Sequence, residues 1–392
     1  MQTDIKSMGI YGGTLALTLL LSFLYNRQTL NRKWKELLWV AVIALPLSIL
    51  GGLRSGIGTD YFNYCKIFQL ISFRSLSGLA DVRLEYGFVL LVKGVQLITS
   101  NYAVCFFVIQ FITLFAAFYC FSKLRSKMDM TIAVLLYYLI CYHQSLNVIR
   151  QSLAVSFVLL ALVYFTEKKY IFYAVCNLLA VLFHYSAIVT FVFGPVIFRF
   201  GRERKALSPE TSLQVQKRRL FIYLGLMVFL SLLMPSAVRI ANKFSVFSWY
   251  ADYLKNIQPG IGTAALYVLM VGPALVFKTN TLCTHKELSQ LKYVILLYLP
   301  LSILGYGSTW GSRITMYTVN LMPLFVPLLI REPKAAPRFS VSNWVGLYYI
   351  AYYTASFVYD ILILNYNETF PYQTFGGNTE RSAWKTHRSA SA

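Results

Sequence analysis

The chain has 392 residues, of which 57% are hydrophobic and only 13% charged, and its formal net charge is +21. A soluble protein of this length carries about twice that share of charged residues, so the composition excludes an ordinary soluble domain and indicates a polytopic membrane protein. In that setting the basic excess marks loops held on the cytoplasmic side and implies no nucleic-acid partner.

A helix needs about 17–25 mainly apolar residues to cross the hydrocarbon layer. In chain order, the sequence predicts crossings at 8–25, 36–53, 102–122, 130–146, 148–166, 170–184, 185–199, 219–235, 260–278, 290–306, 314–330 and 340–364. The expected fold is therefore all-α, with about twelve transmembrane helices in one membrane domain over 1–372. Residues 373–392 read as a flexible tail, and 201–217 as a cytoplasmic linker. The pair 170–184 and 185–199 is short for two crossings and is expected to tilt, to kink at Pro195 or to be partly re-entrant. The stretch 85–99, with Lys93 in its middle, is read as an interfacial or re-entrant helix on the outer face. No cleaved signal peptide is expected, because the first apolar run lacks a basic leader.

Charge orients this threading. More than half of the lysines and arginines fall on one side: Arg27 to Lys35, Lys123 to Lys127, Lys168 and Lys169, Arg199 to Arg219, Lys278 to Lys292, and Arg331 to Arg338. The positive-inside rule makes that side the cytoplasm and places both termini outside. The six cysteines form no Cys-x-x-Cys pair and are expected to be small buried residues, with no disulfide framework and no metal site.

With this topology, polar residues far apart in sequence converge on the outer face: Arg54, Asp60 and Tyr61; Glu85; His143, Asn147, Arg150 and Gln151; His184; Tyr250 and Asp252; and Arg313. The run Arg54 to Tyr61 contains Gly56 and Gly58, whose backbone can approach an anion closely, beside a guanidinium that can grip phosphate in a forked geometry. The same run also fits a helix that ends at Gly51-Gly52, a turn, and a new helix capped by Thr59 or Asp60. His143, Asn147 and Arg150 or Gln151 are spaced to form one polar stripe on a helix. Arg150 needs a partner if it sits at depth, or it snorkels to headgroups. His184, inside an apolar run, is either a hydrogen-bonded structural group or a substrate contact. The segment Gly305 to Ser312, just before Arg313, is a small polar turn with aromatics, suited to a sugar or to a plain tight turn. No Asp-x-Asp, Gly-x-Ser-x-Gly, His-Glu-x-x-His or P-loop pattern occurs, so arginines must balance the charge of any diphosphate handled here.

These residues carry a family resemblance. Leu53 to Tyr61 with Tyr64, Glu85-Tyr86-Gly87, Asn147 to Ala154, Phe183 to Ala187, Arg313 and Pro371-Tyr372 resemble the EpsG family of bacterial exopolysaccharide polymerases. The resemblance implies a Wzy-like glycosyltransferase in the bacterial plasma membrane. Such an enzyme joins polyprenyl-diphosphate-linked oligosaccharide repeat units on the outer face, with a flippase and a chain-length regulator as partners and no cofactor. Arg54, Arg150 and Arg313 would surround the diphosphate, with Gly56 and Gly58 allowing close approach and Tyr61, Asn147 and Gln151 completing the substrate site. Asp60, Glu85 or His184, in falling preference, would orient or deprotonate the attacking hydroxyl. A flippase for lipid-linked glycan, or a membrane acyltransferase with His143 or His184 as base, are the rival readings.

Overall fold

Apolar stretches in lipid become helices because a helix satisfies its own backbone polar groups. The computed structural model describes residues 5–29, 32–74, 84–200, 214–215, 218–226, 228–229, 233, 269–270, 272–273, 286–298, 309–330 and 341–374. Its elements begin with α1 (Ile5–Asn26), α2 (Lys33–Leu53), α3 (Tyr61–Phe73), α4 (Tyr86–Gln96) and α5 (Tyr102–Ser122). Next, α6 (Met130–Tyr137) passes through a π-turn at Tyr138–Tyr142 into the short α7 (His143–Ser145), followed by α8 (Ile149–Thr166). After α9 (Tyr170–Phe183) come a 3-10 helix (Tyr185–Val192) and α10 (Phe193–Phe200). The later elements are α11 (Lys286–Ile295), α12 (Thr309–Val319), α13 (Met322–Ile330) and α14 (Val341–Phe357), which runs into a second π-turn at Val358–Ile363.

Among the described residues, five stretches are long and apolar enough to cross a membrane: Ile5–Asn26, Lys33–Leu53, Tyr102–Ser122, Ile149–Thr166 and Arg313–Ile330. The all-α expectation holds among the described residues, and the predicted count of about twelve crossings is not confirmed. The predicted spans 219–235, 260–278 and 290–306 lie wholly or partly outside the described residues, as do Tyr250, Asp252 and most of the linker 201–217. Large apolar side chains face outward on several helices, with Leu20 53% and Ile171 79% exposed. Such surfaces suit lipid and not water.

The helices alternate between two chemically distinct ends. At one, the Asn26 amide donates to Asp129 (3.0 Å), the Arg125 guanidinium donates to the Gln28 carbonyl (2.5 Å), Lys123 pairs with Glu167 (3.0 Å) and Lys127 with Glu287 (2.5 Å). The basic loops at 27–35, 123–127, 168–169 and the described part of 278–292 therefore meet at one end, while 331–338 and most of 199–219 lie outside the described residues. At the other end lie the C-terminus of α2, the N-termini of α5 and α8, and the segment after α14.

The uncertain pair 170–184 and 185–199 is a hairpin. The Tyr173 hydroxyl donates to the Phe191 carbonyl (3.1 Å) and accepts from the Gly194 N–H (3.0 Å), while the Thr190 hydroxyl donates to Asn177 (2.6 Å). These pairings run antiparallel and put His184 at the tip. Helix α9 has 14 residues, about 21 Å of rise, against roughly 30 Å of hydrocarbon. Helices α3 and α4 are shorter still. The Lys93 ammonium ties them together by donating to the carbonyls of Ile71 (2.6 Å) and Arg74 (2.8 Å), which the end of α3 leaves without helical partners. The predicted interfacial segment 85–99 is thus the 11-residue α4.

One predicted helix end moves. Gly51 and Gly52 lie inside α2, which continues to Leu53. They serve contact with α5, since a Cβ on Gly52 would fall 2.6 Å from the Phe107 Cβ.

Candidate active site

The polypeptide leaves α2 at Arg54 in an extended conformation and turns at once into α3. Gly56 (φ +64°) and Gly58 (φ +94°) make the turn in backbone regions that side chains disfavour. This loop is fastened by a C-terminal strap, 365–374. Arg54 pairs with Thr374 in an antiparallel bridge, the Ser55 N–H donates to the Gln373 carbonyl (2.9 Å), and the Gly58 N–H donates to the Glu368 carbonyl (2.9 Å). Gln373 and Thr374, assigned by sequence to the flexible tail, are therefore fixed to the loop.

The strap is also tied to α1, to α2 and to the corner between α7 and α8. The Tyr11 hydroxyl donates to the Thr369 carbonyl (2.9 Å), and the Tyr372 N–H donates to Ser7 Oγ (2.8 Å). The Tyr372 hydroxyl reaches the Leu50 carbonyl (2.7 Å) and the Asn147 amide the Asn367 carbonyl (2.9 Å). His143 Nδ1 lies 2.8 Å from Thr369 Oγ1, and its Nε2 is 3.3 Å from the Tyr138 hydroxyl.

Beneath this fastening, the Arg54 side chain is 1% exposed. Its guanidinium carbon stands 4.6 Å from the centre of the Phe106 ring, with Tyr11, Tyr61 and Tyr142 around it. Nε and Nη2 have no hydrogen-bond partner among the described residues, and no ion pair joins Arg54 to Asp60. Asp60 holds the N-cap position of α3, but its side chain makes no capping hydrogen bond. An uncompensated guanidinium at this depth is costly unless an anion joins it.

The second centre is Glu85, only 3% exposed, at the N-cap position of α4. One carboxylate oxygen bonds to Arg150 Nη1 and the other lies 2.8 Å from His184 Nδ1. Arg150 comes from the first turn of α8, and its guanidinium also interacts with the Tyr64 hydroxyl. His184 arrives from the hairpin tip. The approach of α4 to α9 depends on Gly87, where a Cβ would fall 2.8 Å from the Leu182 carbonyl oxygen. Burial pushes the Glu85 carboxyl up, but the His184 hydrogen bond and the Arg150 guanidinium outweigh it and hold Glu85 below the ordinary carboxylate range. An ionised carboxylate only accepts, so His184 Nδ1 donates and Nε2 is left as the acceptor.

The two arginines stand on one aromatic cluster. Arg54 lies over Phe106 and Arg150 over Phe88 (5.8 Å), while Phe68 touches both rings, at 5.0 Å and 6.4 Å. Tyr61 stacks on Phe106 at 5.1 Å. Gln151 donates to the Arg313 carbonyl and so docks the start of α12, and Ser186 meets the Tyr317 hydroxyl at 3.0 Å. Of the predicted residues, the fold brings Glu85, Arg150 and His184 into direct contact. It places Arg54 and Tyr61 on the adjoining rings, and draws in Gln151 and Arg313 through a backbone carbonyl. Gly58 and Asn147 are engaged with the strap.

The predicted stripe of His143, Asn147 and Arg150 is not one helix face. The helix breaks at 146–148, so His143 faces Thr369, Asn147 faces the strap and Arg150 faces Glu85. The predicted turn before Arg313 is helical from Thr309, and Gly305 to Ser308 lie outside the described residues. Sequence reading had no direct sign of Asn367, Glu368 or Thr369. The only pointer was their neighbour pair Pro371-Tyr372. Among the described residues, no three His, Cys, Asp or Glu side chains converge on a common point.

No curated protein and no solved structure matches the chain. Residues 37–374, however, match the EpsG family, a stretch that starts within α2 and stops at the Thr374 that pairs with Arg54. It takes in both arginines, the Glu85–His184 contact and the strap, and on that match the chain belongs to the EpsG family.

Proposed function

We propose that this protein is a Wzy-like polysaccharide polymerase of the bacterial plasma membrane. It would join polyprenyl-diphosphate-linked oligosaccharide repeat units on the outer face, with polyprenyl diphosphate as the leaving group. A flippase would supply the lipid-linked units, and a chain-length regulator would act on the product. The observation that carries this reading is the buried Arg150–Glu85–His184 contact, which couples a cation, a fixed carboxylate and an imidazole with a free acceptor nitrogen.

Each part answers a demand of glycosyl transfer. His184 Nε2 accepts the proton of the attacking sugar hydroxyl, whose oxygen bonds to the anomeric carbon. The bond from that carbon to the phosphate oxygen breaks, and its electron pair leaves with the diphosphate. Glu85 holds the imidazole in the required tautomer and steadies the imidazolium that forms, a contribution typically worth about 10²–10⁴-fold in rate. Arg150, Arg54 and Arg313 balance the charge that develops on the leaving group, and the reading uses no metal. The base is thus His184, held by Glu85, in place of Asp60. The Gly56–Gly58 turn, with Tyr61, Asn147 and Gln151, holds these groups in register.

The test is gel analysis of surface polysaccharide from cells lacking the gene, complemented at equal membrane abundance. Wild type is expected to give long chains, and Arg150→Lys and His184→Ala single repeat units. Long chains in the deletion itself would overturn the polymerase reading. Long chains with both variants would remove the site from the chemistry.

A further inference from the structure

We propose that the strap, 365–374, is a gate on an anion site headed by Arg54, opening to admit a phosphate or diphosphate group and closing over it. That the anion belongs to a lipid-linked glycan rests on the function proposed above, whereas the gate stands on the walls of the site. Phe106 of α5 lies under the guanidinium, Tyr61 of α3 stacks on Phe106, and the buried Tyr11 of α1 and Tyr142 of the first π-turn interact electrostatically with it. The remaining side is the strap, whose Thr374 pairs with the Arg54 backbone and whose Tyr372 interacts electrostatically with the guanidinium. Four walls stand on helical elements; the fifth, Tyr372, packs edge-on against Tyr11 (5.3 Å) but stands on a segment without helical hydrogen bonds.

The strap differs from those walls in how it is held. Besides the packing of Phe370 and Tyr372 on Tyr11, its ties are hydrogen bonds between uncharged groups: Ser55 to Gln373, Gly58 to Glu368, Asn147 to Asn367, Tyr11 to Thr369, Ser7 to Tyr372, Tyr372 to Leu50 and His143 to Thr369. No ion pair among the described residues adds to them. The strap begins at Asn365 (φ +47°) and turns again at Glu368 (φ +50°), a left-handed conformation that glutamate disfavours. The carbonyl of that strained residue is the one that receives the Gly58 N–H. Release of the strap relaxes Glu368 and lets water replace neutral hydrogen bonds.

Arg54 supplies the reason for opening. Its Nε and Nη2 donors lack partners at 1% exposure, so an anion that satisfies them needs part of the surround to open. Closure over a bound diphosphate would exclude water and favour transfer to a sugar hydroxyl over hydrolysis.

A disulfide can lock the gate. Ser55 and Gln373 lie beside the antiparallel Arg54–Thr374 bridge and share one backbone hydrogen bond (2.9 Å); residues so opposed have Cα atoms about 4.5–5.5 Å apart, which a disulfide spans. The double variant Ser55→Cys/Gln373→Cys, in nanodiscs, is compared oxidised and reduced by amide exchange and by polymer formation. Oxidation is expected to slow exchange over 54–60 and 365–374 at least tenfold and to cut polymer formation at least tenfold, both restored by reduction. Inorganic pyrophosphate is expected to slow the same exchange in wild type but not in Arg54→Gln. Exchange equally slow in both redox states, or undiminished polymer from the oxidised protein, would overturn the gate. If wild type makes no polymer, the polymerase reading falls and the pyrophosphate arm decides alone: protection lost in Arg54→Gln upholds the gated site, and equal protection in both proteins, or none, overturns it.

Discussion

At the scale of single residues, Glu85 sits between a cation and an imidazole, and its titration should be visible in stability. Its folded value lies below the ordinary carboxylate range, so its stabilisation is complete above the unfolded value of about 4.3 and is lost as pH falls through the lowered folded value. Glu85→Gln keeps the volume but leaves Arg150 without its counter-charge, a loss of about 3 kcal/mol by analogy with broken buried pairs. Thermal unfolding in detergent should show a constant gap between wild type and variant from pH 6 to 8 that closes below about pH 4. A gap independent of pH would mean that Glu85 is not ionised in the fold. Gly58→Ala tests a different property. Its φ of +94° disfavours any side chain, and the added methyl would run into Asn147, so unfolding should come at least ~1 kcal/mol earlier.

At the scale of elements, the sequence was most informative where one rule acts alone. Apolar length and flanking charge placed α1, α2, α5 and α8 to within a few residues, because insertion in lipid obeys them locally. Spacing within a helix misled at His143, Asn147 and Arg150, since it assumes a continuous helix and the break at 146–148 turns each side chain toward a different neighbour. The Glu85–His184 contact joins residues 99 apart and depends on a hairpin whose legs are held by Tyr173, Asn177 and Thr190, none of which resembles a site residue. Both partners were nonetheless recognisable as polar groups in apolar surroundings. Lys93 shows the same tension. In sequence it is a charge that spoils a span, and in the fold its ammonium secures the end of α3. Lys93→Met should therefore destabilise by about 1–3 kcal/mol and hasten amide exchange at 70–74, although it makes α4 more apolar. Unchanged exchange there would show that the Ile71 and Arg74 carbonyls are satisfied without the ammonium.

At the scale of the whole molecule, the segregation of charge sets the bonded basic end against the end that holds Arg54, Glu85, Arg150 and His184. The strap joins the two extremes of the described chain at that second end. Tyr11 and Thr369, which share a hydrogen bond, are 358 positions apart. During synthesis, the loop carrying Arg54 is inserted long before the strap has been made. The nascent protein therefore spends most of its translation with the guanidinium unwalled on one side, and the pocket is completed only by the last described residues. A ribosome that stalls before Asn365 therefore leaves the helices made so far in the membrane without a closed reaction chamber.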